Sequence, residues 1–119
     1  MPHFDEETDH YDLMIGFARR IRLQEQAEWA KEEEERNWEP LLRLLREAMD
    51  RTEQWIDVDT ELRRDFFLLA SDLLQKIGRS VQSQGALTRA AELTIQLRHE
   101  DEAAEALRQA RAAEEVARQ

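Results

Sequence analysis

Three short patterns in this chain carry side chains capable of chemistry. Glu7-Thr8-Asp9-His10 spells Glu-x-x-His, half of the ligand set that carboxylate-bridged di-iron proteins assemble from four helices. A full set needs a second such pair and two further inward glutamates, and no second pair exists. His99 follows Ile95, Gln96, Leu97 and Arg98, and His3 lies in the N-terminal tail. The pattern therefore reads as an acidic helix start with a lone histidine. Glu25-x-x-Glu28 and Glu47-x-x-Asp50 each place two carboxylates one turn apart. On facing helices, such pairs can hold Mg²⁺ against a pyrophosphate.

The order of these two acid pairs resembles the all-α nucleotide pyrophosphohydrolase family, whose fold is also a helical bundle. The resemblance covers Glu25, Glu28, Glu47 and Asp50 and implies Mg²⁺-dependent nucleotide hydrolysis with those residues on the metal. The aliphatic residues that surround the acids in that family are poorly matched, and Asp50 is followed by Arg51-Thr52-Glu53. The same four residues also suit a solvated helix face.

Other catalytic arrangements are missing from the sequence. Cysteine is absent, which excludes thiolate nucleophiles, disulfides, iron–sulfur clusters and cysteine zinc sites. There is no glycine-rich phosphate loop and no nucleophile elbow. Three histidines and a few serines do not suggest a triad. The expectation is a non-enzyme with no catalytic residues, no metal and no cofactor.

Contact surfaces are easier to find. Trp29 stands in Glu28-Trp29-Ala30-Lys31-Glu32-Glu33-Glu34-Glu35, the most acidic part of the chain. Tryptophan is enriched at interface hot spots, so Trp29 with Glu28, Glu32, Glu33, Glu34 and Glu35 forms a candidate partner-binding surface. The alternative is that Trp29 closes the end of a bundle against Trp38. Arg19, Arg20 and Arg22 form a basic patch, and Arg63-Arg64 a second cluster beside Asp59, Glu61 and Asp65. Either could meet phosphates, or serve in exposed ion pairs that contribute little.

The charge layout sharpens these choices. The 119 residues carry 17 Lys+Arg and 27 Asp+Glu, a net charge of −10. Residues 1–12 hold five acids and no base, residues 13–24 three arginines and no acid, and residues 25–39 seven acids against Lys31 and Arg36. The remainder is nearly balanced. Such acidity disfavours direct nucleic-acid binding, which depends on Lys/Arg neutralising phosphates, and favours a partner with a basic surface.

The elements that position these residues are helices. Ala, Leu, Glu, Gln and Arg dominate, and Gly and Pro number only three and two. Apolar spacing of three or four residues predicts a first helix over 9–36, capped by Thr8 or Asp9, with its stripe at Tyr11, Met14, Phe17 and Ile21. A second is expected over 40–55, opened by Pro40, with a stripe at Leu41/Leu42, Leu45, Ala48/Met49, Thr52 and Trp55/Ile56. One long helix kinked at Pro40 is the alternative. A third is expected over 60–84, with a stripe at Leu62, Phe66, Leu69, Leu73, Ile77 and Val81. Gly85 is expected as its left-handed stop. A fourth is expected over 86–117, with a face at Leu87, Ala90/Ala91, Leu93/Thr94 and Leu97 that thins beyond His99 to Ala103, Ala104, Leu107, Ala110 and Val116.

The fold expected is all-α: one domain over 1–119, an antiparallel bundle of three to four helices with short loops. Residues 1–8 are expected as a flexible acidic N-terminus. Residues 104–119 are expected as a helix end that frays or depends on a partner. No apolar run is long enough to span a membrane and the start lacks a secretory pattern, so the expected location is the cytoplasm. The Arg- and Ala-rich usage suits a bacterial or phage source. The functional expectation is a small acidic adaptor, inhibitor or regulator that binds another protein through helices and forms a homodimer. The alternatives are a dimeric DNA-associated regulator and the Mg²⁺-dependent hydrolase.

Overall fold

The computed structural model describes residues 9–118. Among them are four α-helices and no strand: α1 His10–Trp29, α2 Glu39–Gln54, α3 Thr60–Lys76 and α4 Ser80–Ala117. A single 3-10 turn, Glu33–Glu35, lies between α1 and α2. The all-α bundle with short connections expected from the sequence is thus observed. The acidic start at residues 1–8 lies outside the described residues.

Local chemistry sets each boundary. Asp9 caps α1, its carboxylate accepting from the Tyr11 amide at 2.9 Å. Glu39-Pro40 opens α2, with proline where its missing N–H is harmless. The α1–α2 break makes them two helices rather than one kinked rod. The expected extension of α1 to residue 36 does not occur. The last four carbonyls of a helix have no partner within it, and here Arg36 folds back onto the end of α1. Its Nη2 donates to the Trp29 carbonyl at 3.1 Å and its Nε to the Lys31 carbonyl at 3.2 Å.

The third boundary also differs from expectation. The left-handed residue is Gly78, with φ +80°, and Gly85 lies inside α4. Consequently α3 ends at Lys76, and Val81 falls on α4 at 86% exposure instead of extending the α3 stripe. The pairing of α3 with α4 explains the position. Ser71 Oγ donates to the Ser83 carbonyl at 3.1 Å, and Ser83 Oγ to the Ser71 carbonyl at 2.8 Å. Both are buried, and residues 71 and 83 are equidistant from Ile77. A hairpin closing this reciprocal clamp must turn at 77–79, where only glycine accepts φ +80° without strain.

The core joins the four helices largely along the predicted stripes: Met14 and Ile21 of α1, Leu41, Leu45 and Ala48 of α2, Phe66, Phe67 and Leu73 of α3, and Ala90 and Leu93 of α4. Tyr11, expected on the α1 stripe, is 47% exposed, and on α4 the buried face turns through Ala86, leaving the expected Leu87 and Ala91 exposed. Arg63, also buried, donates Nε to the Thr52 carbonyl at 3.1 Å and so caps α2 from α3. At the other end Arg79 reaches Glu39 at 3.4 Å, which sets the start of α4 beside the start of α2.

The molecule is a slab with an arm. It measures 74 × 43 × 20 Å with a radius of gyration of 19.4 Å, against about 13 Å for a compact chain of similar length. The excess comes from α4. Thr60, at the start of α3, bonds Glu100 Oε1 at 2.9 Å, and this is where α3 stops covering α4. Every described residue from Arg98 onward is exposed, although the helix continues to Ala117. This arm is laced by i,i+3 and i,i+4 ion pairs, Arg108 with Glu105 and Arg118 with Glu114.

Candidate functional site

The α1–α2 connection is acidic, and its backbone is pinned from both sides. Glu28 is the inner pin. Its side chain, only 11% exposed, accepts from Lys31 Nζ at 2.7 Å and from the Asn37 amide at 2.9 Å. These two bonds hold its carboxyl below the usual carboxylate range, the Lys31 bond contributing most and the Asn37 amide next. Arg36 is the outer pin. Besides capping α1, its guanidinium lies over the Trp29 ring, 4.9 Å from the centroid. Trp29 meets Trp38 edge-to-face at 4.8 Å and donates its indole N–H to Glu25 at 3.0 Å.

Between the pins Glu32, Glu33, Glu34 and Glu35 are exposed on the 3-10 turn. Backbone bonds from Glu35 to Glu32 and from Arg36 to Glu33 close it. None of the four carboxylates forms an ion pair among the described residues. Four like charges are thus held within one turn by contacts that use other residues.

The predicted surface is therefore divided. Glu32 to Glu35 point to solvent. Trp29 keeps 40% of its surface exposed but has one flank against Trp38 and a cation over its ring. Glu28 departs from the expected role: both of its oxygens are occupied by the fold. The basic patch Arg19, Arg20 and Arg22 is exposed on α1, with Arg20 lying 5.6 Å over Phe17. Arg22 borders a shallow groove shared with Glu25, Asp72 and Lys76, so acids interrupt the patch. In the second cluster Arg63 is buried as the α2 cap, and Arg64 pairs with Asp65 at 3.0 Å.

The proposed metal ligands do not converge. Glu25 binds the Trp29 indole, Glu28 is internal, and Glu47 and Asp50 lie with Arg43, Arg46 and Arg51 along the outer side of α2. No group of three or more His, Asp or Glu among the described residues could hold a metal ion. Glu7 of the Glu-x-x-His pattern lies outside the described residues. His10 is engaged elsewhere, stacked on Trp55 at 4.8 Å with its Nδ1 2.9 Å from Asp57. That contact is the largest cause of a lowered Asp57 pKa.

Sequence reasoning missed the two pins and the His10–Asp57 tie. Lys31 three residues after Glu28 was a visible signal for the first. His10 and Asp57 are separated by 47 residues and left no local signature. A groove of about 330 Å³ between α2 and the start of α4, floored by Phe67, Leu74 and Ala86, was also not foreseen. No helix among the described residues is long and apolar enough to cross a membrane. The chain matches no protein family, no curated protein and no solved structure in comparisons with known proteins.

Proposed function

We propose that this chain is a small acidic, non-enzymatic binding protein that acts in the cytoplasm and docks onto another protein with a basic surface. The observation that carries the reading is the pinned turn. Among the described residues Glu32, Glu33, Glu34 and Glu35 form no ion pair, and the backbone that presents them is fixed by Arg36 and Glu28. A prearranged anionic surface loses little conformational freedom on binding and steers a cationic partner over a Debye length. Trp29, half-exposed beside the turn, supplies apolar contact next to the charge.

The test compares immobilised wild type, a Glu32/33/34/35→Gln variant and Trp29→Ala. A partner captured by the wild type is identified, purified and titrated against all three at several salt concentrations. The reading requires weaker binding and a shallower salt dependence for the glutamine variant. Equal affinity and equal salt slope would return the turn to a solvated connection.

A further inference from the structure

The exposed side of α4 carries a second surface, independent of the acidic turn. Ser83, Ala86, Ala90 and Leu93 face inward and are buried. On the opposite side a stripe runs through Leu87, Ala91, Ile95, Arg98, Glu102, Ala106, Gln109, Ala113 and Val116. Its spacing of three or four residues keeps it on one face of a helix with 3.6 residues per turn. All nine residues are exposed, Leu87 at 44%, Ile95 at 54% and Val116 at 71%. Leu68 of α3, 43% exposed, also lies outside the core.

The order of residue types along this stripe is not uniform. Leu87 and Ile95 lie in the first third with Ala91 between them, the last third holds Gln109, Ala113 and Val116, and a positive and a negative charge stand at the centre. Among the described residues Arg98 makes no ion pair, and Glu102 has only His99 at 3.9 Å. A stripe of this kind is complementary to itself when reversed. About a dyad near residue 100, Arg98 meets the partner's Glu102 and Glu102 meets the partner's Arg98. Leu87 then faces the partner's Ala113, and Ile95 falls beside the partner's Ala106. Leu87 and Ile95 thus lie beside alanines, which allow close helix approach, Ala91 faces the partner's Gln109, Val116 faces the partner's Gln84, and opposite charges meet twice. Parallel pairing in register would set Arg98 against the partner's Arg98 and Glu102 against the partner's Glu102.

We propose that α4 is the interface of a two-fold antiparallel homodimer, formed along Leu87 to Val116. Such an interface is isologous, the same patch used by both copies. The stripe is about 44 Å long and about 10 Å wide. Two copies therefore cover roughly 900 Å², below the about 1,000 Å² of a stable interface and in the range of weak, transient ones. The dimer is reversible and concentration-dependent, and it gives a partner to the arm, which has none among the described residues of one chain.

Sedimentation of the full chain from low micromolar to millimolar concentration tests this. The expected result is a shift from the mass of one chain to the mass of two. Arg98→Glu and Glu102→Arg should each weaken self-association more than about tenfold. An equimolar mixture of the two should associate, since it restores both opposite-charge contacts. The chain has no cysteine, so the direction can be read by cross-linking. Leu87→Cys mixed with Ala113→Cys should give a covalent pair, and neither should cross-link to itself. A monomer at every concentration, charge variants that associate like wild type, or Leu87→Cys joining to itself would overturn the proposal. Circular dichroism of each variant should match wild type, as both charged residues are exposed.

Discussion

Arg36 binds Trp29 twice, through its guanidinium over the indole ring at 4.9 Å and through Nη2 to the Trp29 carbonyl at 3.1 Å. One side chain thereby ends a helix and fixes the aromatic residue at that end. Arg36→Ala removes the cation–π contact and the carbonyl bonds together. It should lower stability by about 1–2 kcal/mol in urea denaturation. Arg36→Lys should recover only part of the loss, because an ammonium cannot bridge two carbonyls with the guanidinium geometry.

Glu28 gives the fold an acid-sensitive contact. Its folded pKa is depressed by Lys31 and the Asn37 amide. The contribution is therefore fully present above the ordinary carboxylate range and is lost as pH falls through the lowered folded value. Glu28→Gln should lower the urea midpoint at neutral pH and flatten the acid limb of the stability curve. A wild-type acid limb would show that the Lys31 and Asn37 bonds do not couple to folding.

Asp57 should behave likewise at the other end of α1. Its pKa is lowered chiefly by the His10 bond, so its contribution also fades as pH drops through the folded value. His10→Phe keeps a ring able to stack on Trp55 and removes the bond to Asp57. The expected outcome is a flatter acid limb with Trp55 fluorescence close to wild type. Proton titration of Asp57 by NMR should show its pKa returning towards the ordinary value in this variant.

Two glycine replacements should have opposite signs. Gly78→Ala forces a side chain into φ +80° and should destabilise by about 1–2 kcal/mol. Gly85→Ala lies within α4, where an added Cβ meets nothing within 4 Å, and should stabilise by about 0.5–1 kcal/mol. Thermal unfolding of the pair checks which glycine makes the turn.

Neutralising the acidic turn should not harm the fold. The Glu32/33/34/35→Gln variant relieves like-charge repulsion, so its stability should rise by up to about 0.5 kcal/mol, most at low salt. A clear loss of stability would mean that the turn is held by its carboxylates rather than by Arg36 and Glu28.

The helices were legible because burial leaves a period. Met14 and Ile21, Leu41 and Leu45, and Phe66 and Leu73 all fall on the predicted stripes and are buried. Endings were harder, since they depend on side chains that reach backbone groups. Nothing in the apolar pattern announces Arg36 on the Trp29 carbonyl. Val81 continued the α3 stripe by spacing alone, and only the Ser71–Ser83 clamp shows that the chain has already turned. The candidate site was legible as a charge run. The separation of Glu28 from its four neighbours was not, because burial depends on where Asn37 returns.

The acidic turn lies at the Glu39–Arg79 end of the slab, and the arm leaves from the other end. The proposed reversed pairing about residue 100 would therefore send the two turns outward in opposite directions, about 60 Å apart along the axis. Such a dimer would be double-headed, a molecular ruler with a fixed interval. It would bind singly placed basic sites weakly, and sites repeated at that interval with avidity, the second contact being made at high effective concentration.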